Sequence, residues 1–303
     1  MVTQIGAQEI RRFNITEAIR KSLRFARENK TLTFGVIILT IMILTAIFAD
    51  FIATHHYSEY NPKDQYKPPS PEYLFGTNLL GRDMFSRVVY GARIALLMAF
   101  TATILALIVG VPLGILSGYF GGKVDRVLTL IADAIYSFPA LLLAITLAIY
   151  LQTFGMLKDI GPVAFATAIV YIPTYFRVVR AQVQRVKEEA DIDAARAMGA
   201  GRFTTILRYV TPNVIASSIA IIPFNMTDAI LTNAALAFLG LGIEPPTPDW
   251  GYDVYDARSL ARIRLYPWLI FFPALMIFLL AFSLSLIGDA LNDRYNPVLK
   301  KAV

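Results

Sequence analysis

Six stretches of this chain stay apolar for about 20 residues, the length a helix needs to cross a bilayer. They cover 33–52, 94–117, 127–151, 163–179, 214–239 and 267–287. Inside hydrocarbon every backbone polar group must find a partner within the protein, so only helices and closed barrels can cross. The pattern therefore predicts an all-α integral membrane protein with six transmembrane helices. At 56% apolar residues and a positive mean hydropathy, a soluble globular fold is excluded. Asp133 and Pro139 interrupt the third run, which is the least regular of the six.

Basic residues orient the spans. Arg11, Arg12, Arg20, Lys21, Arg24, Arg27 and Lys30 crowd the start, and Lys123 and Arg126 follow the second span. The connections after the first, third and fifth spans are sparser for their length. This asymmetry predicts a multi-pass protein of a prokaryotic inner or plasma membrane, both termini and the 180–213 loop cytoplasmic. The head and the first apolar run are both too long for a cleaved signal peptide, and the first span reads as an uncleaved anchor. Residues 1–32 read as a solvated or surface-lying helix. The organisation expected is 1–91 for head, first span and external segment, 92–290 for the transmembrane domain, and 291–303 for a cytoplasmic tail. The net charge of +6 is accounted for by this topology, with membrane lipid as the surrounding partner and no nucleic acid. There is no cysteine, which removes disulfides, thiolate metal sites and cysteine nucleophiles.

Within the spans, Gly110, Gly114 and Gly118 repeat every fourth residue and offer a face for close helix approach, within this chain or against another. Phe85, Val88, Val89 and Ala92 have helical spacing and suggest an amphipathic helix at the outer interface. Pro139, Pro173 and Pro223 are expected to kink their spans. Ser218, Asn225, Asp228 and Thr232 form one stripe of the fifth span. An acid at mid-membrane costs roughly 2.5–3.5 kcal/mol on insertion scales, so Asp228 and Asp133 must face protein or water. Asn225, Asp228, Thr232 and Asp133 are accordingly candidates to line a hydrophilic path, the other reading being hydrogen bonds to neighbouring helices.

The polar segment before the fifth span is unusually regular. Val183, Val186, Ala190, Ala194 and Ala197 make a narrow stripe, and Gly199 and Gly201 permit a sharp turn. A second stripe, Phe203, Ile206, Leu207 and Val210, follows, and Thr211-Pro212 reads as the cap and first residue of the fifth span. The result is a helix–turn–helix elbow joined to a membrane span.

That segment resembles the EAA loop of ABC importer permeases. Asp193-Ala194-Ala195 stands for its triplet, Gly199 for its glycine and Tyr209-Val210-Thr211-Pro212 for its ending. Asp193 replaces the usual Glu, and Tyr209 and Thr211 replace Ile and Leu. Phe75-Gly-Thr-Asn-Leu-Leu-Gly-Arg-Asp83, Ala237-Phe-Leu-Gly-Leu-Gly242 with Pro245-Pro-Thr-Pro-Asp-Trp-Gly251, and Gly288-Asp-Ala-Leu-Asn-Asp-Arg-Tyr-Asn-Pro297 resemble further segments of the dipeptide/oligopeptide/nickel permeases, in the order of the C-type subunit. The resemblance implies a type I ABC importer permease fold. It also implies a homologous B-type permease subunit, two cytoplasmic ABC ATPase subunits and an external substrate-binding protein as partners. ATP and Mg would sit on the ATPases and no cofactor on this chain. Asp193, Ala194, Ala195, Gly199, Ala200 and Phe203 would then couple to the ATPase. Peptides are the cargo most often carried by such subunits, with nickel chelates and oligosaccharides as alternatives.

Nothing in the chain supplies its own energy. The one Gly-Lys pair, Gly122-Lys123, has Ser117 and Val124 where a phosphate loop needs glycine and Ser or Thr. A proton- or sodium-driven transporter using Asp133 and Asp228 is a second reading, but inverted repeats are not evident. A membrane hydrolase is a third; Gly-x-Ser-x-Gly and His-Glu-x-x-His are both missing, and His55 and His56 are the only histidines.

Overall fold

A computed structural model describes residues 29–295 apart from 156, 158 and 244. Most of the basic head and the tail from 296 onward lie outside the described residues, together with the expectations made for them.

Among the described residues, five helices are long and apolar enough to span a bilayer: α1 (Lys30–Ile47), α2 (Met84–Phe120), α5 (Gly161–Val186), α7 (Thr211–Phe238) and α10 (Trp268–Tyr295). The third apolar run is two helices, α3 (Gly122–Tyr136) and α4 (Ala140–Thr153), bent by 90° across residues 137–139. Pro139 causes the break, because it lacks an N–H and disfavours helical backbone at Phe138 before it. The pair counts as the sixth span if its halves are taken together. Pro173 and Pro223, by contrast, lie inside unbroken helices.

Helices α2, α5 and α7 form the middle of the bundle. α1 and α10 cover one flank, where Met42, Ala99, Ile230, Leu280 and Leu284 pack together, and α4 covers the other through Ala144, Ala148, Val163 and Leu236. The glycine repeat faces α5 of the same chain. A Cβ on Gly110, Gly114 or Gly118 would lie 2.7–2.8 Å from the nearest atoms of α5, among them the Ile172, Phe176 and Arg180 carbonyls. Without those methyl groups the two backbones touch, and dispersion contacts along the seam replace the missing side chains.

The stripe Phe85–Ala92 is not a separate interfacial helix. It is the first turns of α2, whose 37 residues span about 55 Å against about 30 Å of hydrocarbon. Asp83 caps this start, accepting from the Phe85 and Ser86 amides. Val88, Val89 and Ala92 are buried, and α8 (Trp250–Ala257), which follows the fifth span, folds back so that Trp250 packs with Ala92. The Trp250 indole N–H donates to the Val88 carbonyl at 2.9 Å, and Gly91 leaves room for that ring. Arg87 is 1% exposed and pairs with Asp253, its Nε 2.8 Å and its Nη2 2.7 Å from Oδ1, while Nη1 reaches the Pro246 carbonyl. This buried pair staples the segment after the fifth span to the start of the second.

Candidate functional site

The elbow is built at one end of the bundle. α5 ends at Val186, residues 187–189 turn, and α6 (Ala190–Ala197) follows. Val183 and Val186 therefore belong to the span, and the predicted continuous stripe is broken before Ala190. The buried face of α6 is Ile192 and Ala195, which leaves Ala190, Ala194 and Ala197 exposed. Ile192 packs with Ile206 and Val210 of the second arm, Val214 of α7, Val183 and Val186 of α5, and Ile115 of α2. The Lys187 ammonium adds a bond to the Gly118 carbonyl at 3.1 Å.

α6 stops in a left-handed cap. Gly199 has φ +88°, its amide donates to the Arg196 carbonyl, and the Ala200 amide donates back to the Ala195 carbonyl. A side chain at 199 would be strained in that region, which gives the glycine its structural reason. The second arm starts at Arg202 and has no break before the fifth span. A one-turn α-helix (Arg202–Thr205) and a π turn (Ile206–Val210) run straight into α7. Thr211 is therefore not a cap. Its amide bonds to the Ile206 carbonyl, five residues back, and the widened turn precedes Pro212, which cannot donate. The outcome is a helical rod from 202 to 238.

On the outside of the elbow, Met198 and Phe203 are 79% and 75% exposed, and Leu207 is exposed beside them. Asp193, Ala194, Ala197 and Gly199 share this open surface, Ala200 is half-buried, and Ala195 is 1% exposed. Of the six residues named for coupling, Ala195 thus lies in the elbow's interior. Met198 and Leu207 join the open surface without any motif to point to them.

A second feature lies along the spans. The Arg177 guanidinium of α5 pairs with Asp133 of α3 at 2.7 Å and lies over the Tyr136 ring at 4.1 Å. Both partners of this pair are exposed. The Tyr171 hydroxyl and Thr232 Oγ1 are 2.8 Å apart, linking α5 to α7, and Asp228 and Tyr136 lie within electrostatic reach of Tyr171. Asp228 is exposed and has no ion-pair partner among the described residues. Three helices thus contribute to one polar face: Asp133, Tyr136, Arg177, Tyr171, Asp228 and Thr232. Lipid cannot cover such a face without stranding its charges, so water or protein must meet it. Asn225 and Ser218 are buried instead, the Ser218 hydroxyl bonding to the Val214 carbonyl. The sequence stripe therefore splits into a packed edge and an open edge. Sequence reasoning misses Arg177, although a cation inside the fourth apolar run is as costly as the two acids.

At the opposite end from the elbow, burial pushes the Asp249 carboxyl up to about 6 and the Asp253 carboxyl upward, against the opposing pull of Arg87 on the latter. Asp249 caps α8 through the Gly251 and Tyr252 amides. His55 stacks on Tyr73, the His56 and Tyr57 rings meet at a tilt, and no group of three His, Asp or Glu among the described residues is placed to hold a metal.

The same chain has relatives among known proteins. Residues 110–299 match the family described as binding-protein-dependent transport system inner membrane component, and residues 19–69 match the N-terminal TM domain of oligopeptide transport permease C. The dipeptide transport system permease protein DppC of Alkalihalophilus pseudofirmus is 38% identical, over 93% of this chain and 90% of the relative. The oligopeptide transport system permease protein OppC of Bacillus subtilis is 36% identical over 92% and 89%. The glutathione transport system permease protein GsiD of Pectobacterium atrosepticum is 34% identical over 91% and 90%. Among solved structures, a chain of the MetNI methionine ABC transporter in its inward-facing conformations superposes with a TM-score of 0.55 at 18% identity, over 69% of this chain and 97% of that one. That likeness extends to the fold.

Proposed function

Because the chain belongs to the family of binding-protein-dependent transport system inner membrane components, we propose that it forms one half of the translocation pathway of an ATP-driven importer for di- and oligopeptides. The observation that carries this reading is the fusion of elbow and span: the backbone is helical from Arg202 to Phe238, with only a widened turn along it. Motion imposed on the elbow reaches mid-membrane without a hinge to absorb it.

The elbow faces the cytoplasm in this reading, and its open apolar knob, Met198, Phe203 and Leu207, docks into a cleft of a separate ATPase subunit. Closure of two such ATPases pushes this elbow and that of a homologous B-type permease together. The rod of α7 then turns the polar face between inward and outward access. An external binding protein delivers the substrate. Relatives named for dipeptides, oligopeptides and glutathione support a peptide cargo.

Phe203→Asp tests the docking. Burying an aromatic side chain contributes about 1.5–3 kcal/mol, so its loss should weaken ATPase association at least about tenfold. The variant should insert in the membrane normally yet fail to copurify the ATPase. Undiminished copurification would count against the elbow as the coupling element. Ala195→Glu also abolishes association, but by unfolding the elbow from within.

A further inference from the structure

We propose that the polar face is a transit subsite for zwitterionic peptides, with Asp228 receiving the α-ammonium group and Arg177 the α-carboxylate. This rests on the pathway reading above and adds a specificity to it. Depth supports the pairing of roles. α5 and α7 run antiparallel and are tied level by the Tyr171–Thr232 hydrogen bond. From that tie, Asp228 lies four residues, about 6 Å, towards the elbow end. Arg177 lies six residues, about 9 Å, in the same direction. The two charges therefore sit at similar depth on neighbouring helices, one anionic and one cationic.

Their surroundings fit the roles. Asp228 is exposed with no cation beside it among the described residues, so an arriving ammonium group gains an uncompensated partner. Arg177 is held by Asp133 through one nitrogen, Nη2, and backed by the Tyr136 ring, which leaves the rest of its donor fork open on an exposed side chain. Tyr171 and Thr232 supply neutral hydrogen-bond groups on the side of the charges away from the elbow. A face carrying both signs binds each end of a peptide weakly and suits passage rather than storage.

The chain has no cysteine, so a single introduced thiol can report on the local potential. Ala235→Cys places one seven residues from Asp228, on the same stripe and about 10 Å away along α7. In the assembled transporter, a cationic methanethiosulfonate should modify this thiol on the order of tenfold faster than an anionic one. Asp228→Asn should bring the two rates within about threefold, and Asp228→Glu should keep them apart. Trialanine should protect the thiol, and N-acetyl-trialanine should not. Equal rates with both reagents, or a preference that survives Asp228→Asn, would overturn the subsite and leave the pathway reading intact. Silence towards both reagents in every nucleotide state would overturn the pathway reading, and the subsite with it.

Discussion

Breaking the buried Arg87–Asp253 pair, at the end of the bundle away from the elbow, should loosen α8. Arg87 is 1% exposed, and among the described residues its guanidinium has two contacts with Asp253 and one with the Pro246 carbonyl. Asp253→Ala leaves an enclosed guanidinium without its counter-charge, which costs about 3–5 kcal/mol. That cost falls on the packing of α8 against α2, because the pair joins those two helices. The opening equilibrium of α8 should therefore rise by roughly two to three and a half orders of magnitude, at about 1.4 kcal/mol per decade. Ala257→Cys provides the reporter, since Ala257 is 3% exposed at the end of α8. Maleimide labelling of the introduced thiol should accelerate by that factor in Asp253→Ala. In the double variant Arg87→Met/Asp253→Leu it should return to within about tenfold of the parent, because an apolar pair of similar volume needs no counter-charge. Acceleration below about fivefold in the single variant, or a double variant as fast as the single, would refute the reasoning.

Other expectations follow from the same packing. Gly114→Ala drives a methyl group to 2.8 Å from the Phe176 carbonyl and the Val179 Cβ, and should cost about 1–3 kcal/mol. Gly201→Ala, with open space around it, should cost far less; thermal midpoints in detergent compare the two. Because the Asp249 carboxyl is raised from 3.8 to about 6, the folded state holds the proton more tightly than the unfolded state. Its burial therefore destabilises the fold by about 3 kcal/mol above pH 6, and the penalty disappears as pH falls towards 4. Asp249→Asn should flatten that dependence and raise the midpoint at about pH 7.5; an unchanged pH profile would remove Asp249 from the account.

The spans were legible because hydropathy over about 20 residues is a property of the chain itself, and so was the bend, because Pro139 acts on its immediate neighbours. The partner of the glycine face was not legible. A repeat at Gly110, Gly114 and Gly118 specifies close approach but not which helix approaches, and only the fold brings Tyr175, Val179 and Val183 there. The fifth-span stripe shows the angular limit of periodicity. Asn225 and Asp228 are three residues apart, and that rotation of about 60° separates a packed amide from an open carboxylate. The Asp133–Arg177 pair joins residues 44 apart in sequence, so either charge alone posed a problem whose answer lay in another helix. Thr211-Pro212 reads locally as a helix start, yet packing of Val210 and Val214 keeps the backbone helical through it. Residue chemistry named the elbow and the acids; tertiary contact decided which atoms face outward.

Uptake of a labelled tripeptide into proteoliposomes holding the assembled transporter and its binding protein tests the central claim, that ATP hydrolysed elsewhere drives this chain through its elbow. Uptake should require ATP in the cytoplasmic compartment, survive a protonophore, and be lost in Phe203→Asp. Uptake that persists without ATP and collapses with the ion gradient would contradict that claim.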